Sequence, residues 1–341
     1  MNFNVALPLA SSVLSLVFFV FLLDQWLERR RPYQLIWAIG MLWYALSAGT
    51  EFLGGAFGWS EPLYRSWYLI GAIWVAGWLG LGTVFLLAKT RFGYAFAVSL
   101  ALAGLFTVLS WARYDYPGSG ATPYVYGLAA LVLAIGVVVM TARRDDRWVW
   151  LAGGAIVGGS VLSLVLVVMT PLAAPGYAVD PATHIPVGTL FPGSIRLLTP
   201  FFNVTGAFAL TFGALYSAYV FMPKRRVIRY DLGRGRSPLT FAIAAVGIPV
   251  NFLASLPGAI IALLSGRLNT RVPATILIAI GGFIPAITSG ANRFGSTSGF
   301  FVGEFLGVLF LFAGFLVSVE VFREFRIPFT GRVLRTRGVE G

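Results

Sequence analysis

The chain has 341 residues, 58% hydrophobic and only 11% charged, with a mean hydropathy of +0.83. A soluble domain is about 45–50% apolar and about 25% charged, so this composition excludes a soluble globular fold, which would lack the polar surface to cover such a core. Net charge is +12, from 25 basic and 13 acidic residues, with no cysteine and a single histidine, His184; that excludes disulfides, thiol catalysis, cysteine-ligated metals and a bis-histidine haem held by this chain alone.

Apolar runs of about 20 residues, the length of a bilayer-crossing helix, recur along the whole chain. Residues 1–23, MNFNVALPLASSVLSLVFFVFLL, have no basic n-region, and the positive charge follows in ERRR at 28–31. That order predicts an uncleaved first span with its N-terminus outside. Further spans are expected at 34–52, 67–88, 92–111, 124–141, 148–170 and 197–222, the first beginning near residue 5 and ending at 23. Residues 238–264 are apolar over 27 positions but contain Pro249 and Pro257, with Gly247 and Gly258 beside them and Asn251 between. Proline removes a helix donor and clashes with the preceding turn. This stretch is therefore expected to form a Pro-broken re-entrant or interfacial hairpin, with a full span as the alternative. Two last spans are expected at 272–290 and 298–322.

The positive-inside rule chooses between the two arrangements. With nine spans, only Arg65, Arg113, Arg196 and Arg293 lie outside and the other 21 basic residues lie inside; with ten, the division is 15 to 10. The expectation is thus an all-α polytopic helical membrane protein of about nine transmembrane helices, a single bundle over 1–341 with no separate soluble domain. It would sit in the cell membrane, N-terminus outside and C-terminus cytoplasmic. Arginines gathered at span ends read as topology signals and contacts to anionic lipid head groups at the cytoplasmic face, not as a nucleic-acid surface.

Small residues recur at four-residue spacing, which lets helices approach closely. Examples are Gly154 and Gly158, offset by one from Ala155 and Gly159; Ala72, Ala76 and Gly80; and Gly282, Ala286 and Gly290. AIGMLWYALSAG (38–49) is echoed by AIGGFIPAITSG (279–290), with five identities. Internal repeats of this kind occur in transporters.

The topology places Glu51, Arg65, Arg196, Asn203, Asn292, Arg293 and Glu304 in one outer-leaflet layer. A charge within the hydrocarbon is costly and faces the bundle interior, a partner or water. Glu304 stands in GFFVGEFLGVLFLF without a polar neighbour in sequence, and Arg293 is its expected partner. These residues, Arg196 aside, are the candidate binding layer. Trp67, Trp74 and Trp78, spaced by seven and four, are expected on one helical face. Trp74 and Trp78 lie too deep for an interfacial belt, so they either fill core or form a flat aromatic wall. The loop 171–196, with five prolines, Asp180 and His184, is placed to cap an outer vestibule.

No lysine lies inside a span, and no Walker, G-x-S-x-G, H-E-x-x-H or EF-hand pattern occurs. No catalytic residue, metal ligand set or cofactor is expected. The readings carried forward are a permease or channel-like protein for a small or lipid-like substrate, using the outer polar layer and the broken segment, and a non-catalytic sensor or assembly subunit acting through its basic cytoplasmic faces. Oligomeric state and partner subunits stay open.

Overall fold

The computed structural model describes residues 3–114, 116–230, 238–293, 295–297, 299–318, 324–326, 328–330 and 333–336, with backbone alone at a few of them, Arg293 included. Its helices are α1 (Phe3–Arg29), α2 (Pro32–Phe57), α3 (Glu61–Leu86), α4 (Gly93–Tyr114), α5 (Thr122–Ala142), α6 (Trp148–Met169), α7 (Leu198–Phe221), α8 (Pro238–Leu264), α9 (Arg271–Arg293) and α10 (Phe300–Val317). Ten of the described helices are long and apolar enough to cross a membrane, so the chain is an all-α polytopic membrane protein. A short antiparallel pair, β1 (Glu324–Arg326) and β2 (Val333–Thr336), follows.

Local sequence explains the ends. Pro32, Pro62 and Pro123 sit in first turns, where the missing N–H costs nothing and φ is already helical. Gly58, at φ 96°, ends α2 in a conformation that suits glycine.

Interhelical contacts set the directions. Ser12 Oγ of α1 donates to the Ala45 carbonyl of α2 at 2.8 Å, and Trp37 Nε1 of α2 donates to the Leu79 carbonyl of α3 at 3.1 Å. These bonds fix α1, α2 and α3 as successive antiparallel neighbours. α3 and α7 run parallel at very close range. A Cβ added at Gly206 would collide with the backbone of Ala76 and Gly77, and one at Gly80 with the backbone of Gly206. The main core gathers Tyr64, Trp67, Ile73, Phe96, Trp148 and Phe202 from α3, α4, α6 and α7. A second cluster joins α1, α2 and α10 through Phe18, Met41, Tyr44 and Val308.

One face of the bundle carries the N-terminus, the α2–α3 turn, the 171–196 loop and the α9–α10 turn. The other, which we term the basic face, carries the α1–α2, α3–α4 and α5–α6 turns. Contacts within each face bear this out. Arg196 stacks over Tyr116 at 4.4 Å on the first face, and Trp148 Nε1 donates to the Ala88 carbonyl at 3.3 Å on the second.

The proline-broken hairpin expected at 238–264 is replaced by one continuous helix, α8, with both prolines inside it. Both prolines are exposed, so neither ring is forced against a packed neighbour, and tertiary contacts elsewhere hold the helix. The stripe Gly247, Asn251, Ser255 and Ala259 is buried. Asn251 Oδ1 accepts from the Val227 and Ile228 N–H groups at 2.7 and 2.9 Å, and its Nδ2 donates to the Ile228 carbonyl at 2.8 Å. Ser255 Oγ accepts from the Arg225 N–H at 2.8 Å. Residues 223–230 therefore form an extended strap laid antiparallel along α8. α7 and α9 pack antiparallel, with the Arg271 guanidinium 4.8 Å over the Phe221 ring. The α7–α9 connection, α8 included, thus begins and ends on the basic face.

Candidate functional site

A buried carboxyl pair lies near the N-terminal face. Glu51, near the C-terminal end of α2, is 1% exposed, and the Trp67 Nε1–H of α3 donates to its Oε1 at 2.8 Å. Glu304, in the second turn of α10, brings its carboxyl within hydrogen-bond reach of that of Glu51. Tyr44, buried on α2, donates its O–H to the Glu304 backbone carbonyl at 2.7 Å, tying α10 to α2 just below the pair. Neither Glu51 Oε2 nor Glu304 Oε2 receives a donor from the described residues. In a low-dielectric interior two carboxylates this close repel strongly, so the pair demands a positive charge, as a proton or a bound cation.

A cavity of about 120 Å³ opens beside it, lined by Asn4, Val5, Glu51, Gly55, Trp59, His184 and Phe301. The 171–196 loop roofs this cavity. Val179 bridges Pro186, and Asp180 Oδ1 accepts from the Ala182 and Thr183 N–H groups, both at 2.9 Å. His184, at φ 56°, follows in the left-handed region. Asn4 Nδ2 donates to the Thr183 carbonyl at 3.0 Å, Thr183 Oγ1 donates to Thr297 Oγ1 at 2.9 Å, and Ile185 packs on Phe300 and Phe301. The loop thus bridges the first turn of α1 and the start of α10. Hydrogen bonds, chiefly from the Thr183 N–H, hold the Asp180 carboxyl below its ordinary value, so the turn that presents His184 is built around a charged aspartate.

The remaining candidates separate. Arg65 forms an ion pair with Glu61 at 2.6 Å and donates to the Val167 and Thr170 carbonyls, closing the C-terminal end of α6. It is a helix-end clamp. Asn203 is partly buried on α7, and Asn292 is partly buried with an Oδ1 that no described residue contacts by hydrogen bond. The Arg293 side chain, and with it the expected Glu304–Arg293 pair, lies outside the described residues. What Glu304 meets is an acid.

The expectation of one face for Trp67, Trp74 and Trp78 together is revised, while Trp74 and Trp78, the expected wall, both bond to α6. Trp67, Trp74 and Trp78 do not address one neighbour, because residues Tyr68–Trp74 form a π-helical segment inside α3. A wider turn breaks the 3.6-residue period on which the shared face rests. Trp67 reaches Glu51 on α2, whereas Trp74 Nε1 donates to Ser163 and Trp78 Nε1 to Ser160 on α6, at 3.0 and 3.3 Å. Trp74 also packs on Trp43 at 4.9 Å. Pro249, Asn251 and Pro257 belong to α8 and its strap, remote from the carboxyl pair.

Sequence reasoning missed Tyr44, Asn4, Thr183 and Thr297. Tyr44 was legible, since it precedes Glu51 by seven positions, two helical turns on one face. The others act across long loops and leave no local signal. Among the described residues no group of three or more metal-binding acids or imidazoles occurs. The chain matches no family model, no curated protein and no solved structure.

Proposed function

We propose that the protein is a permease of the cell membrane, and that its substrate- or ion-binding site is the Glu51–Glu304 pair, loaded through the cavity beneath the 171–196 loop. The observation that carries this reading is the meeting of two acids from distant helices, one of them fully buried, with no basic partner among the described residues. Intramembrane acids in transporters mark ion and proton pathways. Small buried hydroxyls continue inward from the pair, with Ser11 and Ser15 on α1 receiving no described partner. The chemistry of the site favours a small cation or a proton moving with a solute. We place the N-terminal face outside and the basic face in the cytoplasm, because the nine-span reading of the sequence assigns 21 of the 25 basic residues to the latter side.

Purified protein in liposomes, loaded with a pH-sensitive dye and given an inward gradient of methylammonium, tests the proposal. Proton or cation flux abolished by Glu51→Gln and by Glu304→Gln is expected. Wild-type liposomes that conduct neither would overturn it. They would favour the second reading, a sensor or assembly subunit acting through the basic face, which the same charge asymmetry supports.

A further inference from the structure

We propose that α8 and its strap form an interfacial unit that docks on the anionic lipid surface of the basic-face leaflet, and that α8 does not cross the bilayer. The composition of α8 alone would allow a crossing, but its contacts argue otherwise. Its C-terminal turns pack Ala259 against Ala218, Met222 and Val272, at the basic-face ends of α7 and α9. From there the strap and α8 travel together: Arg225 pairs with Ser255, Val227 and Ile228 with Asn251, and Tyr230 and Ile228 line Gly247. A crossing α8 would drag Lys224, Arg225, Arg226 and Arg229 into the hydrocarbon, where each charge is expensive. Laid in the interface, the same unit satisfies both of its surfaces.

Those two surfaces are distinct. Val246, Leu253 and Ile260, spaced by seven, are 60%, 62% and 56% exposed on the side away from the buried Gly247–Asn251–Ser255–Ala259 stripe. Lys224, Arg225, Arg226 and Arg229 are exposed on the strap. An apolar helix face beside a short basic run is the arrangement that settles at a headgroup–acyl boundary and prefers anionic lipid. The charge identifies the occupant, because a second protein helix would need no cluster of four cations beside an apolar face.

The absence of cysteine makes single-cysteine labelling clean. Full-length Leu253→Cys, with Val132→Cys on α5 as a bilayer-depth reference, is labelled with a fluorophore in vesicles of phosphatidylcholine alone or with a quarter phosphatidylglycerol. The expected result is a label at headgroup depth, shallower than that at position 132. In a separate, unlabelled sample, the Leu253→Cys thiol should react several-fold more slowly with a water-soluble maleimide when phosphatidylglycerol is present. Neutralising Lys224, Arg225, Arg226 and Arg229 to glutamine should remove that lipid dependence, each charge contributing about fivefold in the docking equilibrium. A label as deep as the reference would overturn the proposal by showing a crossing helix. Equal reactivity in both lipids would overturn it by showing no docking. Protection that persists in neutral vesicles and rises with protein density would assign the face to a second copy instead.

Discussion

The carboxyl group of Glu304 on α10 lies against that of Glu51 on α2, and the Trp67 indole N–H donates to Glu51 Oε1 at 2.8 Å. Two acids brought together inside a bundle, with no described base beside them, are tolerated only if the site carries a proton or a cation. This contact sets the first expectation. Glu304→Gln supplies an amide donor to the remaining carboxylate and removes one charge, so thermal unfolding in detergent should show it as stable as wild type or more so. Glu304→Ala removes the partner without replacing it and should be less stable by about 1–3 kcal/mol, the range for orphaning a buried polar group. Equal behaviour of the two variants would mean that the carboxyls do not interact.

Trp67 and Trp74 should respond differently to the same change. Trp67→Phe strips the donor from the buried Glu51 Oε1 and is expected to lower stability by about 1–3 kcal/mol and to alter flux. Trp74→Phe loses a neutral bond to Ser163, expected to cost about 1 kcal/mol without changing flux. A flux defect in the Trp74 variant matching that of Trp67 would mean that both indoles serve the carboxyl pair.

Asn251 makes three bonds to the strap. Asn251→Ala should free residues 223–230 and raise the rate of tryptic cleavage at Arg225, Arg226 and Arg229. A loss of about 1–3 kcal/mol corresponds to roughly a 5- to 150-fold larger open population. An unchanged digestion rate in otherwise folded protein would show that the clip does not hold the strap.

The loop over the cavity should loosen in acid. The folded-state value of Asp180 is depressed from its ordinary 3.8, chiefly by the Thr183 N–H. A depressed carboxyl stabilises the fold fully above its unfolded value, and that contribution is lost as pH falls through the lower folded value. Amide exchange at Ala182 and Thr183, corrected for intrinsic rates, should therefore accelerate below about pH 4 relative to Asp180→Asn, in which the pH dependence should vanish. Parallel pH profiles for the two proteins would remove Asp180 from that role.

Two glycine motifs should differ in tolerance. Gly206→Ala inserts a methyl into the backbone of α3 and should cost several kcal/mol or prevent folding, since packed backbones relax little. A Cβ at Gly154 meets nothing within 4 Å, so Gly154→Ala should change unfolding by about 0.5 kcal/mol or less. Thermal scans of both variants decide the matter.

Hydropathy and length were enough to expect helices at the nine spans, each found with its ends within six residues of the expected bounds. The charge count also foresaw that the connection over 238–264 starts and finishes on one side. Its internal form was not legible, because the Asn251 clip depends on a strap more than twenty positions away. Of the offset small-residue pairs on α6, Gly159 faces Phe202 while Gly154 and Gly158 face outward. Spacing alone cannot make that distinction when every surface of the helix is apolar.

By itself, then, the sequence determined the membrane class, the helices and the layer in which Glu51 and Glu304 would lie, because each of these is a local property of composition and period. Only the tertiary structure decided that Glu304 meets Glu51, that the Trp67 and Trp74 indole N–H groups bond to different helices, and which glycines touch backbone. The reason is physical: in a bilayer the lipid chains are as apolar as the helix faces, so partner choice rests on close packing and a few polar contacts. Those exist only once the whole bundle has assembled.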